Sequence, residues 1–178
     1  MGLTPAILDW GSRAMSSDLK PGESVQVRPA AASDQLRLIE LVNLAYSVES
    51  FLEGTRTDPE RMAAMLRKGT ILVAEDGSEL IASVYVEVRG KRGYMGMLAV
   101  DPARQGTGFA SIMVRAGEDH LRRKGCEAVD ISVLSLRPEL LPIYRRFGFV
   151  ESGTEEFGFP RTFREPVECH CILMSKPL

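Results

Sequence analysis

The sequence has no long hydrophobic run, little cysteine and almost no net charge. Its longest apolar runs are only a handful of residues, whereas a membrane-spanning helix needs about 20. Residues 1–22 lack the continuous apolar core of a secretory signal, because Asp9, Gly11 and Ser12 interrupt the one apolar patch. The net charge of −2 gives no general electrostatic reason to bind nucleic acid. We therefore expect a cytoplasmic protein with no membrane segment and no nucleic-acid partner.

The cysteines are too few and too irregularly spaced for a disulfide framework. The three residues, Cys126, Cys169 and Cys171, are an odd number, which fits a reducing compartment. The triplet Cys169-His170-Cys171 suggests a metal site, but in a strand the two cysteines share one face and His170 points to the other. We expect buried thiols and no metal.

The 178 residues are enough for one domain, which we place at 24–178 after an N-terminal extension at 1–23. Turn, cap and periodicity signals predict alternating strands and helices. Strands are predicted at 24–28, 70–75, 80–88, 94–100, 129–134, from 149 and at 167–174; helices begin at Ser33, Asp58 and Gly108, and a short one spans 140–147. The strands from 70 to 100 form an antiparallel meander, and a helical crossover makes 94–100 and 129–134 parallel neighbours.

The first predicted helix carries an apolar set that includes Leu36, Ile39, Val42 and Tyr46. These residues should pack against the sheet.

The stretch from Val100 to Ala110 is the most informative part of the chain. An apolar strand leads into two alternating glycines, Gly106 and Gly108, which open a helix. Glycine lets the backbone approach an anion closely, and the N–H groups of the first helical turn point towards it. This pattern predicts a binding site for a phosphorylated ligand; the alternative is a tight turn whose glycines serve packing only.

Two phosphate-binding motifs are excluded by what the stretch lacks. A dinucleotide fingerprint needs a third glycine where Ser111 stands, and a nucleoside-triphosphate loop needs a lysine after a glycine. Neither requirement is met.

The segment Gln105-Gly106-Thr107-Gly108-Phe109-Ala110 fits the motif Gln/Arg-x-x-Gly-x-Gly/Ala, and Tyr144-Arg145-Arg146-Phe147-Gly148-Phe149 fits Tyr-x-x-x-Gly-Phe. On these motifs the chain resembles the GNAT superfamily of acyl-CoA-dependent N-acetyltransferases over about residues 24–175. The resemblance implies an α/β fold. Its central sheet would be mixed and mostly antiparallel, with about seven strands, about four flanking helices and a parallel pair around the acyl-CoA site.

The resemblance also implies which residues bind acetyl-CoA. The backbone of Leu98, Ala99 and Val100 would hydrogen-bond the pantetheine arm as a neighbouring strand does. The pyrophosphate would lie among Gln105, Gly106, Thr107, Gly108, Phe109 and Ala110. Acetyl-CoA is then the cosubstrate and no metal is needed.

Acetyl transfer to an amine needs a neutral nucleophile, a stabilised oxyanion and a protonated thiolate. By resemblance, Tyr144 would protonate the CoA sulfur, and a backbone N–H at or near Leu98 would polarise the thioester carbonyl. The alternative for Tyr144 is a half-buried aromatic residue on a helix. The family's frequent asparagine seven residues before this tyrosine is Arg137 here, so the asparagine's role is not transferred.

The general base is the point at which the chain departs from the family pattern. Many members carry a carboxylate on the strand before the glycine turn, and residues 94–100 have none. Glu87 is the first substitute, because it shares a strand face with Ser83 and Tyr85 and could act through water; the alternative is an exposed residue near a hairpin end.

Three further residues are candidates for work on the acceptor. Glu49 and Glu53 lie between the first two helices, where either could bind substrate or relay a proton. His170 is the fourth candidate base, although a lone strand histidine is more often structural.

We expect an N-acetyltransferase that transfers the acetyl group of acetyl-CoA directly to a primary amine, since no cysteine has a neighbouring base for an acyl-enzyme. An aromatic loop from Phe157 to Phe163 could cover a compact pocket, which favours a small acceptor. The alternatives are a protein N-terminal or lysine acetyltransferase and a non-catalytic acyl-CoA-binding regulatory module. A nucleic-acid adaptor built on residues 122–124 is disfavoured by the net charge, and a homodimer is compatible with the resemblance.

Overall fold

The computed structural model describes residues 25–158 and 161–178, so the extension predicted at 1–23 lies outside the described residues. Within those ranges the chain forms seven strands and four α-helices. They are β1 (Gln26–Pro29), α1 (Gln35–Ala45), α2 (Pro59–Lys68), β2 (Thr70–Asp76), β3 (Glu79–Arg89), β4 (Arg92–Val100), α3 (Phe109–Arg123), β5 (Ala128–Leu134), α4 (Leu141–Arg146), β6 (Val150–Glu156) and β7 (His170–Pro177). No helix in these ranges is both long and apolar enough to cross a membrane.

The strands form one sheet in the order β1-β2-β3-β4-β5-β7-β6. Every neighbouring pair is antiparallel except β4 and β5, which are parallel because α3 carries the chain back between them. The predicted fold class is therefore confirmed: a mixed, mostly antiparallel sheet with one parallel pair and flanking helices.

The sheet separates two apolar layers, because successive strand side chains point to opposite faces. On one face Val84 and Val86 of β3 belong to the same core as Met113 and Leu121 of α3. On the other face Tyr85 packs with Leu38, Val42 and Met62 from α1 and α2. The α3 face and the α1/α2 face are thus distinct sides of one sheet.

The parallel strands β4 and β5 separate soon after they meet. Their pairing runs only from Arg92 opposite Ala128 to Tyr94 opposite Asp130, although β4 continues to Val100 and β5 to Leu134. A gap therefore opens between the second halves of the two strands. It lies on the side of the carboxyl end of β4, where the chain turns into α3.

A β-bulge in β4 lies beside this gap. Ser83 pairs with Ala99 and Tyr85 with Gly96, so the single residue Val84 opposes both Met97 and Leu98. Met97 has a φ of 45°, a left-handed conformation that is uncommon for a residue with a side chain. A bulge interrupts the hydrogen-bond ladder and bends the strand, so the β4 backbone is re-aimed next to the gap.

Two elements differ from the sequence-based expectation. Leu36 is 72% exposed and the buried face of α1 is Leu38, Leu41 and Val42; the helix is leucine-rich on two sides, and packing on the sheet selects one of them. The last strand is displaced towards the carboxyl end, to His170–Pro177, because its register is set by pairing with β5. The propensities of neighbouring residues give no information about the strand with which β7 pairs.

Candidate active site

The glycine turn lies at the carboxyl end of β4 and opens α3. Gly106 and Gly108 adopt φ values of +77° and +93°, conformations that favour glycine. A methyl group added at either residue would meet no atom within 4 Å, so the surroundings of the turn are open. Gly108 is the N-cap of α3 and supplies no side-chain cap, which leaves the N–H groups of the first turn to an external acceptor. This arrangement fits a bound diphosphate.

Gln105 connects the turn to β4. Its Nε2 donates to the carbonyl oxygen of Val100 at 3.4 Å, and its Oε1 is buried without a hydrogen-bond partner among the described residues. This oxygen is an acceptor, so it cannot itself bind a phosphate group. Thr107 is exposed, whereas Phe109 and Ala110 are buried and anchor the start of α3 in the core.

The backbone of Leu98, Ala99 and Val100 borders the gap between β4 and β5. Its β3 side is paired, with Ala99 opposite Ser83 and Val100 opposite Ala82. On its β5 side the strand pairing has already ended at Tyr94. These three residues therefore offer an edge to which an extended ligand arm could hydrogen-bond.

A cavity of about 650 Å³ lies on the α1/α2 face of the sheet. Gly96 and Met97 place the β4 bulge in its wall, and β5 and β7 contribute Ser132 and Cys171. The rest of the lining is mostly polar or charged: Arg56, Thr57, Arg61, Ala64, Met65, Lys68, Tyr85, Glu87, Arg89, Tyr94, Glu155, Glu156, Gly158 and Arg161. The volume suits a small ligand.

Glu87 lies in this cavity within a hydrogen-bonded group. Tyr85 Oη donates to its Oε2 at 2.8 Å, and Arg89 Nε donates to its Oε1 at 3.0 Å. Arg89 in turn covers the ring of Tyr94 with 4.2 Å between the guanidinium carbon and the ring centroid. The bond from Arg89, with that from Tyr85, lowers the pKa of Glu87 against the opposing effect of burial, so its carboxylate is ionised at neutral pH.

Tyr144 lies on α4, against the α3-side core. Its ring contacts those of Phe147 and Phe149 edge-on, with centroids 6.3 Å and 5.9 Å away. Burial raises the pKa of Tyr144 above its usual range, and Tyr46 and Tyr94 add to the effect. The residue is half-buried and remains a neutral phenol throughout the physiological range.

Glu49 is almost completely buried and surrounded by arginines. Its Oε1 lies 3.3 Å from Arg137 Nη1, and its Oε2 lies 3.3 Å from Arg161 Nη1 and 3.7 Å from Arg56 Nη1. Arg137 therefore projects towards Glu49 from the position where relatives have an asparagine. The carboxylate contacts these guanidinium groups, so it is placed to position them.

Glu53 lies apart from the main cavity. It lines a smaller recess together with Asp58 and Thr162, and its Oε2 accepts a hydrogen bond of 2.6 Å from Thr162 Oγ1. Arg161 connects the two glutamates, because it donates to Glu49 Oε2 and to the carbonyl oxygen of Glu53.

The segment after β6 docks onto the connection between α1 and α2. Leu52 and Phe163 form an antiparallel bridge, and the rings of Phe157 and Phe163 pack with centroids 4.7 Å apart. The predicted aromatic loop therefore covers one side of the site, next to Arg161. Phe159 of the same loop lies outside the described residues.

The cysteine and histidine side chains of β7 do not converge. Cys171 is buried and lines the cavity, Cys169 is half-buried and His170 is exposed at the start of the strand. In the described part of the chain no group of three His, Cys, Asp or Glu residues could hold a metal ion.

The cationic side chains of the cavity are the residues that sequence reasoning missed. Arg56, Lys68 and Arg89 come from three elements or loops, and Arg161 arrives from a loop distant in sequence. The only local signal is the number of basic residues between 56 and 68. Convergence of these charges depends on tertiary structure.

Comparison with known proteins gives a consistent result for fold and family. Residues 37–149 match the profile of the acetyltransferase (GNAT) family. Glucosamine 6-phosphate N-acetyltransferase 1 of Oryza sativa subsp. japonica is 30% identical over 145 residues, which are 75% of this chain and 86% of that protein. A mycothiol acetyltransferase of Clavibacter michiganensis is 30% identical over 86 residues, 48% of this chain and 28% of that longer protein.

Among solved structures, a GNAT family acetyltransferase from Elizabethkingia anophelis with acetyl-CoA bound superposes with a TM-score of 0.70. The alignment covers 86% of this chain and 98% of that one, at 17% identity. At this identity the likeness establishes the fold alone.

Proposed function

Because the chain belongs to the acetyltransferase (GNAT) family, we propose that it transfers the acetyl group of acetyl-CoA directly to a primary amine of a small-molecule acceptor. The observation that carries the proposal is the gap between β4 and β5. The gap begins beyond Tyr94 and runs towards the start of α3. The β4 bulge lies beside it, and the 650 Å³ cavity lies on the α1/α2 face of the sheet. A donor and an acceptor can meet there from opposite sides of the sheet.

Acetyl-CoA supplies an activated thioester. We assign its pyrophosphate to the backbone N–H groups between Gly106 and Ala110, with the positive end of the α3 dipole behind them. Leu98, Ala99 and Val100 would hydrogen-bond the extended arm, and the bulge leaves an N–H at Met97 or Leu98 outside the regular ladder. That N–H is positioned to polarise a carbonyl oxygen.

Two side chains are assigned to proton transfer. Tyr144 keeps its proton because burial raises its pKa, so its hydroxyl can donate a hydrogen bond to a leaving thiolate at every working pH. The raised pKa makes it a weak acid, which favours stabilisation of the thiolate through that hydrogen bond. Glu87 is ionised in the cavity and would accept the acceptor's proton through water. Its lowered pKa makes it a weak base, which favours a role in ordering that water.

Direct transfer is favoured over an acyl-enzyme by the state of Cys171. This thiol lines the cavity, but burial raises its pKa, so it is mostly protonated and a poor nucleophile.

The small-molecule acceptor is supported by the size of the cavity and by relatives named for glucosamine 6-phosphate and mycothiol. A protein N-terminus or lysine is the alternative acceptor. A non-catalytic acyl-CoA-binding module remains the alternative of another class, because β4 (Arg92–Val100) carries no carboxylate.

The test is a thiol-release assay with acetyl-CoA and a panel of amines, which includes small amines, a lysine peptide and peptides with free N-termini. We expect turnover on small amines with release of one thiol per acetylated product, measured by mass spectrometry. Thermal stabilisation by acetyl-CoA without turnover on any amine would favour the binding module. Turnover confined to peptides would transfer the proposal to protein acceptors.

A further inference from the structure

Three guanidinium groups surround one buried carboxylate beside the cavity. The side chain of Glu49 is 4% exposed, and those of Arg161, Arg137 and Arg56 are 5%, 13% and 14% exposed. Arg137 has a second acidic partner, Glu139, at 2.5 Å. Burial of charge is costly unless it is balanced, and here the buried cations outnumber the buried anion.

The excess of positive charge continues into the cavity. Its lining holds five cationic side chains, Arg56, Arg61, Lys68, Arg89 and Arg161, and three acidic ones, Glu87, Glu155 and Glu156. With Glu49, which pairs with Arg56 and Arg161, the four acidic side chains leave a net charge of +1, in a chain whose net charge is −2. A local field of this sign attracts an anion.

Arg161 has the geometry to bind an anion. Its Nε, Nη1 and Nη2 donate to Glu53 O at 3.2 Å, Glu49 Oε2 at 3.3 Å and Gly54 O at 3.3 Å. These bonds are long for charge-assisted ones, which are typically about 2.7–2.9 Å, and they use three of the five N–H groups of a guanidinium. The side chain lines the cavity while Glu49 and two carbonyl oxygens hold it in place.

We propose that the amine acceptor carries an oxyanion group, a phosphate monoester or a carboxylate, which binds Arg161 and Arg56. Glu49 positions the two guanidinium groups. The inference rests on the proposed function and specifies the substrate class of the same cavity.

The proposal places the anchor and the reacting amine in one cavity. Arg161 and Arg56 line the same cavity as Gly96 and Met97. Gly96 and Met97 border the gap to which we assign the donor arm. An acceptor held by its anionic group is therefore oriented towards the bulge, and orientation of this kind lowers KM and raises kcat.

The test compares matched amines and matched arginine variants. Ethanolamine, β-alanine and O-phosphoethanolamine, and separately glucosamine and glucosamine 6-phosphate, are assayed with the wild type, Arg161→Gln, Arg56→Gln and the control Arg123→Gln. Arg123 is exposed in the last turn of α3, remote from the cavity. Binding of inorganic phosphate is measured by calorimetry in parallel, with thermal melts to verify folding.

We expect the wild type to prefer an anionic amine to its neutral counterpart by about 10-fold or more in kcat/KM. Arg161→Gln should reduce this preference by about 10- to 100-fold, mainly by raising KM for the anionic amine, and should weaken phosphate binding. Arg123→Gln should change neither the preference nor phosphate binding. If Arg161→Gln fails to fold, the same losses of preference and of phosphate binding are expected for Arg56→Gln. The ratio between the phosphate and carboxylate arms identifies the anion.

Equal rates on neutral and anionic amines would overturn the inference and leave the proposed function standing. Phosphate binding that depends on Arg161, without acetylation of any amine, would leave the anion site standing and overturn the proposed function.

Discussion

The two sides of the sheet contribute different kinds of chemical group to the candidate active site. The α3 side offers main-chain groups from one continuous stretch, Leu98 to Ala110. The α1/α2 side offers side chains from distant parts of the chain, such as Arg56, Glu87 and Arg161. In the proposed function the backbone N–H groups bind the acyl-CoA, and the side chains bind the acceptor.

This contrast explains why the donor is easier to identify than the acceptor. Hydrogen bonds from the main chain need only a defined backbone path, and the glycines with positive φ impose it locally. A charged cavity needs correct folding of several elements before its charges meet. Four variants test this division between a donor site made by the backbone and an acceptor site made by side chains.

The largest effect is expected at Gly108. Replacing it with leucine forces a side chain into φ +93° at the point where the first-turn N–H groups must reach a pyrophosphate. We expect the affinity for acetyl-CoA, measured by calorimetry, to fall by about 100-fold or more. The matched control is Gly125→Leu, at φ +81° and open space at the other end of α3.

Gly125→Leu should show similar strain in thermal melts with acetyl-CoA affinity unchanged. Equal affinity losses in both variants, or none in Gly108→Leu, would break the assignment of the donor to this turn.

Removal of the Tyr144 hydroxyl should affect catalysis more than binding. In Tyr144→Phe we expect kcat to fall by about 10- to 100-fold, because the leaving thiolate loses its proton donor, while the dissociation constant for acetyl-CoA changes by less than about twofold. Since the pKa of Tyr144 is raised, the wild-type rate should show no loss from its ionisation below about pH 10. Wild-type turnover of the variant over the whole pH range would remove Tyr144 from the mechanism.

Glu87→Gln tests the acceptor side, where the expected effect is smaller. A water-mediated contribution predicts a loss of about 10-fold in kcat with the acetyl-CoA affinity unchanged. The pKa of Glu87 is lowered, so its carboxylate is lost only as the pH falls through that lowered value, and no acid limb from Glu87 is expected above about pH 5. Glu79→Gln, exposed at the start of the same strand, is the control; equal rates for the two variants would leave the base elsewhere.

Ser83→Ala should have the smallest effect. Ser83 is 1% exposed on the α1/α2 side, and its hydroxyl has no hydrogen-bond partner among the described residues. Its removal should leave kinetics unchanged and alter the free energy of unfolding, measured by denaturant titration, by less than about 1 kcal/mol, in the stabilising direction. A rise of threefold or more in the acceptor KM would show that the acceptor site extends to this hydroxyl.

Several elements follow from local sequence. Asp58 accepts the Arg61 N–H at 2.8 Å and Pro59 occupies the first turn of α2, as their order predicts. The strand–glycine–helix order around Gly106 and Gly108 likewise appears in the fold as expected. By contrast, the bounds of β7 and the exposure of Leu36 on α1 differ from the prediction, because pairing with β5 and packing on the sheet select among locally equivalent choices.

The sequence by itself predicted the order of strands and helices and the stretch assigned to the donor, since these depend on periodicity, caps and glycines that act over a few neighbouring residues. The family and the fold class followed from the resemblance carried by the motifs at 105–110 and 144–149. Tertiary structure alone decided that β4 separates from β5, that the bulge lies beside this gap, and that Arg161 meets Glu49 from 112 positions away. The reason is that charge balance in a cavity depends on distances in space, which a linear sequence does not contain.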